Sequence, residues 1–218
     1  MRVLIHACPA RMWYVEEFLI PSLTAQGLGK DEIEVWCDTE RKGNLLSCME
    51  SFAARKGHGG TWHIQDDVLI SRDFVRRCRE LDEGVVYGFC CEQFRDEVDL
   101  TGRVYPFESW HSFQCVRIPD EYARDCARWF FEDARQRPEY YEWVKTGKMD
   151  DSFFHEYLEI ERAAERVLNC KPCLVEHVDL LIGGSIVNEW RGFWARAHWW
   201  DDEELVEELK KKLRTHSR

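Results

Sequence analysis

At 218 residues, 44% of them hydrophobic and 33% charged, the chain is long enough to bury one substantial core without disulfide or metal staples. A formal net charge of -11 argues against general binding to a nucleic-acid backbone, which needs a basic surface; a bound divalent cation can still invert the field locally for a small phosphorylated ligand. The ten cysteines lack the spacing of a small secreted scaffold, which points to buried thiols in a reducing, cytoplasmic setting. No apolar run approaches the ~18 residues of a membrane span, and charges follow the first apolar run too soon for a signal peptide.

"RVLIHAC" (2–8) predicts a first strand, followed by a loop with Pro9 and a helix over 13–23 whose apolar residues recur three and four apart. "EIEVWCD" (32–38) alternates polar and apolar residues and predicts a second strand ending in Asp38. A helix over 44–55 follows, opened by Asn44 and ended near Gly57. "TWHIQ" (61–65) starts a third strand that runs into Asp66 and Asp67, and "SRDFVRRCREL" (71–81) predicts a helix with Ser71 as its N-cap. "GVVYGFCC" (84–91) is a further buried strand. Residues 92–120 are aromatic and punctuated by Gly and Pro. Helical pattern returns over 120–136 and again over 150–168, where Phe153, Tyr157, Ile160, Ala164 and Val167 form one apolar stripe. "PCLVEHV" (172–178) predicts a late strand. The tail places acids before bases along one helix, the order its dipole prefers. Alternation of strand and helix predicts an α/β fold with a mainly parallel sheet.

Ligands of such sheets sit beyond the carboxyl ends of the strands. Asp38 lies at one such end, and Asp66 and Asp67, with Gln65 beside them, lie at another. They offer the hard oxygen donors that Mg²⁺ or Mn²⁺ accepts while it holds phosphates. The simpler reading is that the pair ends the strand and caps the next helix. Asp150 and Asp151 open the longest predicted helix, so one of them caps it and the other is available as a general base. His177 stands near the end of the last strand, before a Gly-Gly loop, where an imidazole suits a borderline metal. Cys170, Cys173 and His177 form a C-x2-C-x3-H array, but no second Cys-x2-Cys supplies a fourth zinc ligand, and buried thiols explain it better. Trp190, Trp194, Trp199 and Trp200 suit a sugar-stacking platform or, more simply, the packing of a C-terminal segment.

The order Asp38, "QDD" (65–67), "MDD" (149–151), His177 resembles that of the GT-A superfamily of nucleotide-sugar glycosyltransferases, over about residues 1–190. The resemblance implies a GT-A (Rossmann-like) single domain over 1–200, a mixed, mainly parallel sheet flanked by helices, with a C-terminal helix over 201–218. It implies transfer of a sugar from a nucleotide-sugar donor to an acceptor hydroxyl, on a glycan, a small molecule or a modified base. That reaction would be inverting and dependent on Mn²⁺ or Mg²⁺, in an enzyme of the sort found in bacteria or their phages. By the same resemblance Asp38, with Cys8, Pro9 and Arg11 of the first loop, flanks the nucleotide, and Trp110 lies in the region of sugar contacts. Asp66 bonds sugar or ribose, Asp67 and His177 hold the metal, and Asp151 is the base, with Asp150 as the competing assignment. Gln65 stands where the first aspartate of the Asp-x-Asp motif is usual and can bond ribose or a metal-bound water. Arg11, Arg41 and Lys42 are loop cations able to assist the leaving diphosphate, or simply solvated charges. Two alternatives stay open: a nucleotidyltransferase, which the absence of glycine in "HACPARMWY" disfavours, and a catalytically silent nucleotide- or glycan-binding module, which Gln65 keeps in play.

Overall fold

In the computed structural model, residues 1–81, 84–88, 101–104, 113–147, 149–162, 167–170, 173–178, 182 and 211 are described. The chain begins with β1 (Arg2–Ala7) and a 3-10 turn, Pro9–Arg11. A continuous helical segment follows: α1 (Met12–Tyr14), a π turn (Val15–Leu19) and α2 (Ile20–Ala25). The π turn ends one residue short of Pro21, which has no N–H for the carbonyl four residues back, and the Ile20 amide donates to the Val15 carbonyl five residues back. Next come β2 (Ile33–Cys37), α3 (Asn44–Ala53), β3 (Gly60–Gln65), β4 (Val68–Ile70), α4 (Phe74–Glu80), β5 (Val85–Tyr87) and β6 (Thr101–Val104). The described part ends with β7 (Cys115–Pro119), α5 (Asp120–Glu132), α6 (Tyr141–Thr146), α7 (Asp150–Glu161), β8 (Val167–Cys170) and β9 (Val175–His177).

β1 is buried at every position after Arg2 because it lies inside the sheet, parallel to β2 on one side and β3 on the other, with Ile5 opposite Val35 and Ile64. The sheet order is β2-β1-β3-β7-β5-β8-β6. The β1–β2, β1–β3 and β5–β8 ladders are parallel, whereas β7 runs antiparallel between β3 and β5, and β6 is antiparallel to β8. This is the mixed α/β sheet flanked by helices that the sequence predicts. One core packs Trp62 and Ile64 against Leu19 and Phe74; the opposite face packs Phe52, Phe113 and Phe154 around His63. Alternate residues of β3 thus face opposite layers, as the strand period requires.

Three expectations are corrected. The helix after the aspartate pair starts at Phe74 rather than Ser71, and no side chain caps it. Ser71 instead gives its amide to the Leu174 carbonyl, extending the small second sheet in which β4 pairs antiparallel with β9. The helix over 150–168 stops at Glu161: Ile160 is 53% exposed, and Val167 belongs to β8, paired with Val85. Strand pairing with β5 overrides the helical stripe there. The helix expected over 120–136 ends at Glu132, followed by a 3-10 turn, Ala134–Gln136. The C-terminal helix over 201–218 lies outside the described residues except at Lys211.

Two loops meet above the strand ends. Gly43 has φ +89°, and a Cβ on it would lie 2.9 Å from the Cα and carbonyl oxygen of Gly147, itself at φ +65°. The Leu45 amide also donates to the Gly147 carbonyl at 3.1 Å. Both glycines are therefore required by close approach and by left-handed backbone. Gly43→Ala is expected to lower unfolding free energy by about 1–3 kcal/mol, read as a fall in urea midpoint at unchanged m-value.

Candidate active site

β3 ends at Gln65, and Asp66 and Asp67 form the tight turn into β4. Both carboxylates are buried, at 6% and 8% exposure. Arg11, delivered by the 3-10 turn after β1, is also buried at 5%. Its Nη1 donates to Asp66 Oδ1 at 3.0 Å and to Asp67 Oδ2 at 2.6 Å. The Cys8 amide donates to Asp66 Oδ2 at 2.7 Å. The register of β4 with β9 sets Val68 opposite His177, and the Val178 amide bonds the Asp67 carbonyl at 2.8 Å. That pairing brings His177 Nε2 to 3.2 Å from Asp67 Oδ2. Tyr14, one helical turn after Arg11, donates its hydroxyl to the Val68 carbonyl at 2.8 Å and ties the helix to the same turn. Asp67 Oδ1 is buried without a hydrogen-bond partner among the described residues.

Burial alone would raise both acids. At Asp67 it is outweighed by His177 and then Arg11, which hold the carboxyl well below the usual carboxylate range. Asp66 is pushed up, by burial first and by the charge of Asp67 second, against the pull of Arg11 and the Cys8 amide. Burial and then Asp66 push the Cys8 thiol up to about 12, so it is neutral and no nucleophile. His6, buried on β1 and bonded to Ser47 Oγ at 2.9 Å, is brought down to about 4 by burial, with Asp38 and Asp67 opposing. It is a neutral imidazole under the site.

The acids of α7 differ in where they look. Asp150, 5% exposed, accepts a bond from Gln65 Nε2 at 3.2 Å, which links α7 to the end of β3. Burial, and next the charge of Asp151, push its carboxyl up to about 7. Asp151 turns back on its own helix, accepting from the Ser152 amide at 2.7 Å and from the Ser152 hydroxyl at 3.3 Å. Burial raises it too, and those Ser152 bonds oppose the rise. Met149, at φ +72°, provides the left-handed step that sets this rotation of α7.

Cys8, Pro9, Arg11, Gln65, Asp66, Asp67, Asp150 and His177 are thus joined in one region, by direct bonds or chain adjacency. Asp38 lies at its edge and is engaged by its own turn: Oδ1 accepts from the Lys42 amide at 2.9 Å and Oδ2 from the Gly43 amide at 3.0 Å. Arg41 is exposed, and Lys42 pairs with Glu50 at 2.9 Å. Trp110, His111 and the tryptophans at 190–200 lie outside the described residues. Cys170 and Cys173 are buried in the apolar core beside Leu174, while His177 pairs with Asp67, and among the described residues the C-x2-C-x3-H array forms no metal-holding group. One participant, His6, and the burial of another, Arg11, were missed from the sequence. His6 was hidden in an apolar run, where its only signal is a polar residue at a buried strand position. The burial of Arg11 has no local signal at all.

The donor set does not fit the divalent cation expected between Asp67 and His177. Among the described residues no three His, Cys, Asp or Glu side chains are arranged to hold a metal ion. The place between the two aspartates is taken by the Arg11 guanidinium. Two unit charges about 4 Å apart interact with about 4 kcal/mol at an effective dielectric of 20, and a divalent ion doubles that repulsion.

No protein-family model matches the chain, and no curated protein matches it by sequence. Among solved structures, S. aureus TarS 1-349 superposes with a TM-score of 0.51 at 10% identity, over 83% of this chain and 61% of that one. The chain therefore spans about three-fifths of that structure's length. The inositol-1-phosphate CTP transferase from T. maritima matches at 12% identity and TM-score 0.46, over 98% of this chain and 96% of that one. The galactosyltransferase LgtC, in complex with donor and acceptor sugar analogs, matches at 11% identity and TM-score 0.43, over 97% and 96%. Scores below 0.5 add nothing to the assignment. The likeness is one of fold, and the fold is of the GT-A type. No helix among the described residues is long and apolar enough to cross a membrane.

The raised carboxyl of Asp150 has a thermodynamic consequence. The folded chain keeps a proton up to about pH 7 that the unfolded chain releases near its ordinary 3.8, so this group's contribution to stability falls as pH rises across that window. Asp150→Asn is expected to stabilise the fold at pH 8 by roughly 1–3 kcal/mol, with the gain vanishing below about pH 4. Thermal melts of both proteins across pH 4–9 check it.

Proposed function

We propose that this chain, on its GT-A frame, is a glycosyltransferase that moves a sugar from a nucleotide-sugar donor to an acceptor hydroxyl, with Asp150 as general base. The observation that carries the reading is the Asp150 carboxyl: buried, pushed up to about 7, and tethered by Gln65 to the end of β3 beside Asp66. A base titrating near the working pH combines the deprotonated state with a useful driving force for proton transfer. The resemblance puts an acid at the start of a late helix in that role. Of the two acids there, Asp150 is preferred because it bonds toward the strand ends while Asp151 bonds back to Ser152.

In this reading the nucleotide lies over the carboxyl ends of β1, β2 and β3, flanked by Cys8, Pro9, Arg11 and the Asp38 turn, as ligands of such sheets do. Asp150 takes the proton of the acceptor hydroxyl as its oxygen bonds to the anomeric carbon. The bond from that carbon to the diphosphate breaks, and the diphosphate leaves with the electron pair. A single displacement of this kind inverts the anomeric centre. The neutral Cys8 thiol is no rival nucleophile, and the His6 imidazole, bonded to Ser47 and brought down to about 4, is a weaker base than Asp150.

A thermal-shift panel of nucleoside diphosphates and nucleotide sugars identifies the donor, since a ligand at 100 times its Kd stabilises by about 2.7 kcal/mol. With that donor, Asp150→Asn is expected to cut kcat by about 10²–10⁴ while leaving donor affinity unchanged. Wild-type kcat should fall as pH drops through about 7, because the protonated base is inactive. Loss of turnover in Asp151→Asn with Asp150→Asn still active would reverse the assignment of the base. A chain whose melt no nucleotide shifts is not a glycosyltransferase.

Gln65 holds the base by one hydrogen bond that favours the charged form. Gln65→Leu is therefore expected to move the pH midpoint of kcat upward, and Gln65→Asn to move it less, which a purely structural role would not do.

A further inference from the structure

We infer that the guanidinium of Arg11 takes the place of the divalent cation in this site, so that the chain binds a nucleoside diphosphate without metal and acquires a metal site only when Arg11 is removed. The identity of the ligand rests on the glycosyltransferase reading; the statement about the cation does not.

The geometry is that of a built-in counter-ion. One nitrogen, Nη1, lies within hydrogen-bond distance of both aspartates of the motif. Arg11 is held from two directions: its amide bonds the Cys8 carbonyl at 3.1 Å within the 3-10 turn, and Tyr14 pins the following helix to β4 through Val68. Asp66 is fixed in turn by the Cys8 amide, so loop and carboxylate hold each other. A guanidinium stays charged at every working pH and matches phosphate oxygens as well as it matches carboxylates. Held there, it offsets part of the negative charge that an incoming diphosphate brings to the strand end.

A second observation points to what Arg11 displaces. Asp67 Oδ1 is buried without a hydrogen-bond partner among the described residues, and His177 lies against the other oxygen of the same carboxylate. Without the guanidinium, Asp66, Asp67 and His177 offer oxygen and imidazole donors of the kind Mn²⁺ accepts, which are not so arranged with Arg11 in place and would have to draw together around the ion.

The test measures Mn²⁺ binding by the loss of its free-ion electron paramagnetic resonance signal, on wild type, Arg11→Ala and Arg11→Ala/Asp67→Asn. Wild type is expected to leave the ion free. Arg11→Ala should gain roughly tenfold or more in Mn²⁺ affinity, a gain the double variant loses. Stoichiometric Mn²⁺ binding by wild type that Asp67→Asn removes would overturn the inference, as would an Arg11→Ala protein that leaves the ion free. Where Arg11→Ala does not fold, Arg11→Met keeps the stem packed and answers the same question. In parallel, the thermal shift given by UDP and GDP is measured in EDTA and in Mn²⁺. Equal shifts for wild type support the metal-free site, and a shift seen only with Mn²⁺ overturns it. Absence of any shift in either buffer removes the glycosyltransferase reading, while the Mn²⁺ measurement still decides the cation.

Discussion

Taking two adjacent carboxylates out of water costs several kcal/mol per charge unless a cation and hydrogen bonds go with them. Asp66 and Asp67 are in that position at the end of β3, and much of the surrounding structure answers it. The loop after β1 folds into a 3-10 turn that delivers Arg11 to both acids and the Cys8 amide to one of them. β9 returns from far along the chain to set His177 against Asp67. Tyr14 fastens the first helix to the strand that leaves the turn. Breaking a buried pair by deleting one partner typically costs about 3–5 kcal/mol. The β1 loop, the β3 turn and the β4–β9 sheet are therefore energetically one unit, although they come from three separate parts of the sequence.

Four aspartates near the strand ends have been given different states by their surroundings. Asp67 has a guanidinium and an imidazole, so it stays an anion. Asp66 shares the guanidinium but also feels Asp67, and burial pushes it up. Asp38 uses both oxygens on its own turn, closing the loop that meets Gly147. Asp150 has burial and a like-charged neighbour, opposed by backbone amides at the start of its helix and by the Gln65 amide, and ends poised near 7. Charge placement rather than residue type separates structural acids from the one suited to move a proton. A carboxyl held up in this way destabilises the fold above its ordinary range, the usual relation between a reactive group and the stability around it.

The first half of the fold was legible because its strands carry local patterns: β1 is buried on both faces, and β2 alternates with a closing aspartate. β4 was not, because three residues between an aspartate pair and a serine acquire strand character only by pairing with β9, about a hundred residues away. The overextended α7 failed for the same reason: a stripe that reads as helix through Val167 is claimed beyond Glu161 by a strand that needs β5. In the site, the acids at the strand ends could be picked out from the sequence, but the directions in which Asp150 and Asp151 bond could not. Their directions depend on how Met149 and Gly147 turn the chain into α7, and nothing local encodes that rotation. Arg11 reads as a surface cation until the sheet brings Asp66 and Asp67 to it.

Gln65 and Arg11 are two sides of one electrostatic change. A third aspartate at position 65 would add negative charge beside Asp66 and Asp67 and would face Asp150 with a like charge that cannot donate a hydrogen bond. Glutamine removes that charge and supplies the N–H that Asp150 accepts. Arg11 then adds the positive charge that the remaining pair requires. Each departure alone would leave the site unbalanced: Gln65 without Arg11 weakens the hold on a metal and replaces it with nothing, whereas Arg11 beside three aspartates leaves an excess of buried negative charge. Together they bring the strand end closer to neutrality with groups the chain itself provides. Gln65 and Arg11 thus belong to one charge arrangement at the end of β3, each offsetting what the aspartates around it require.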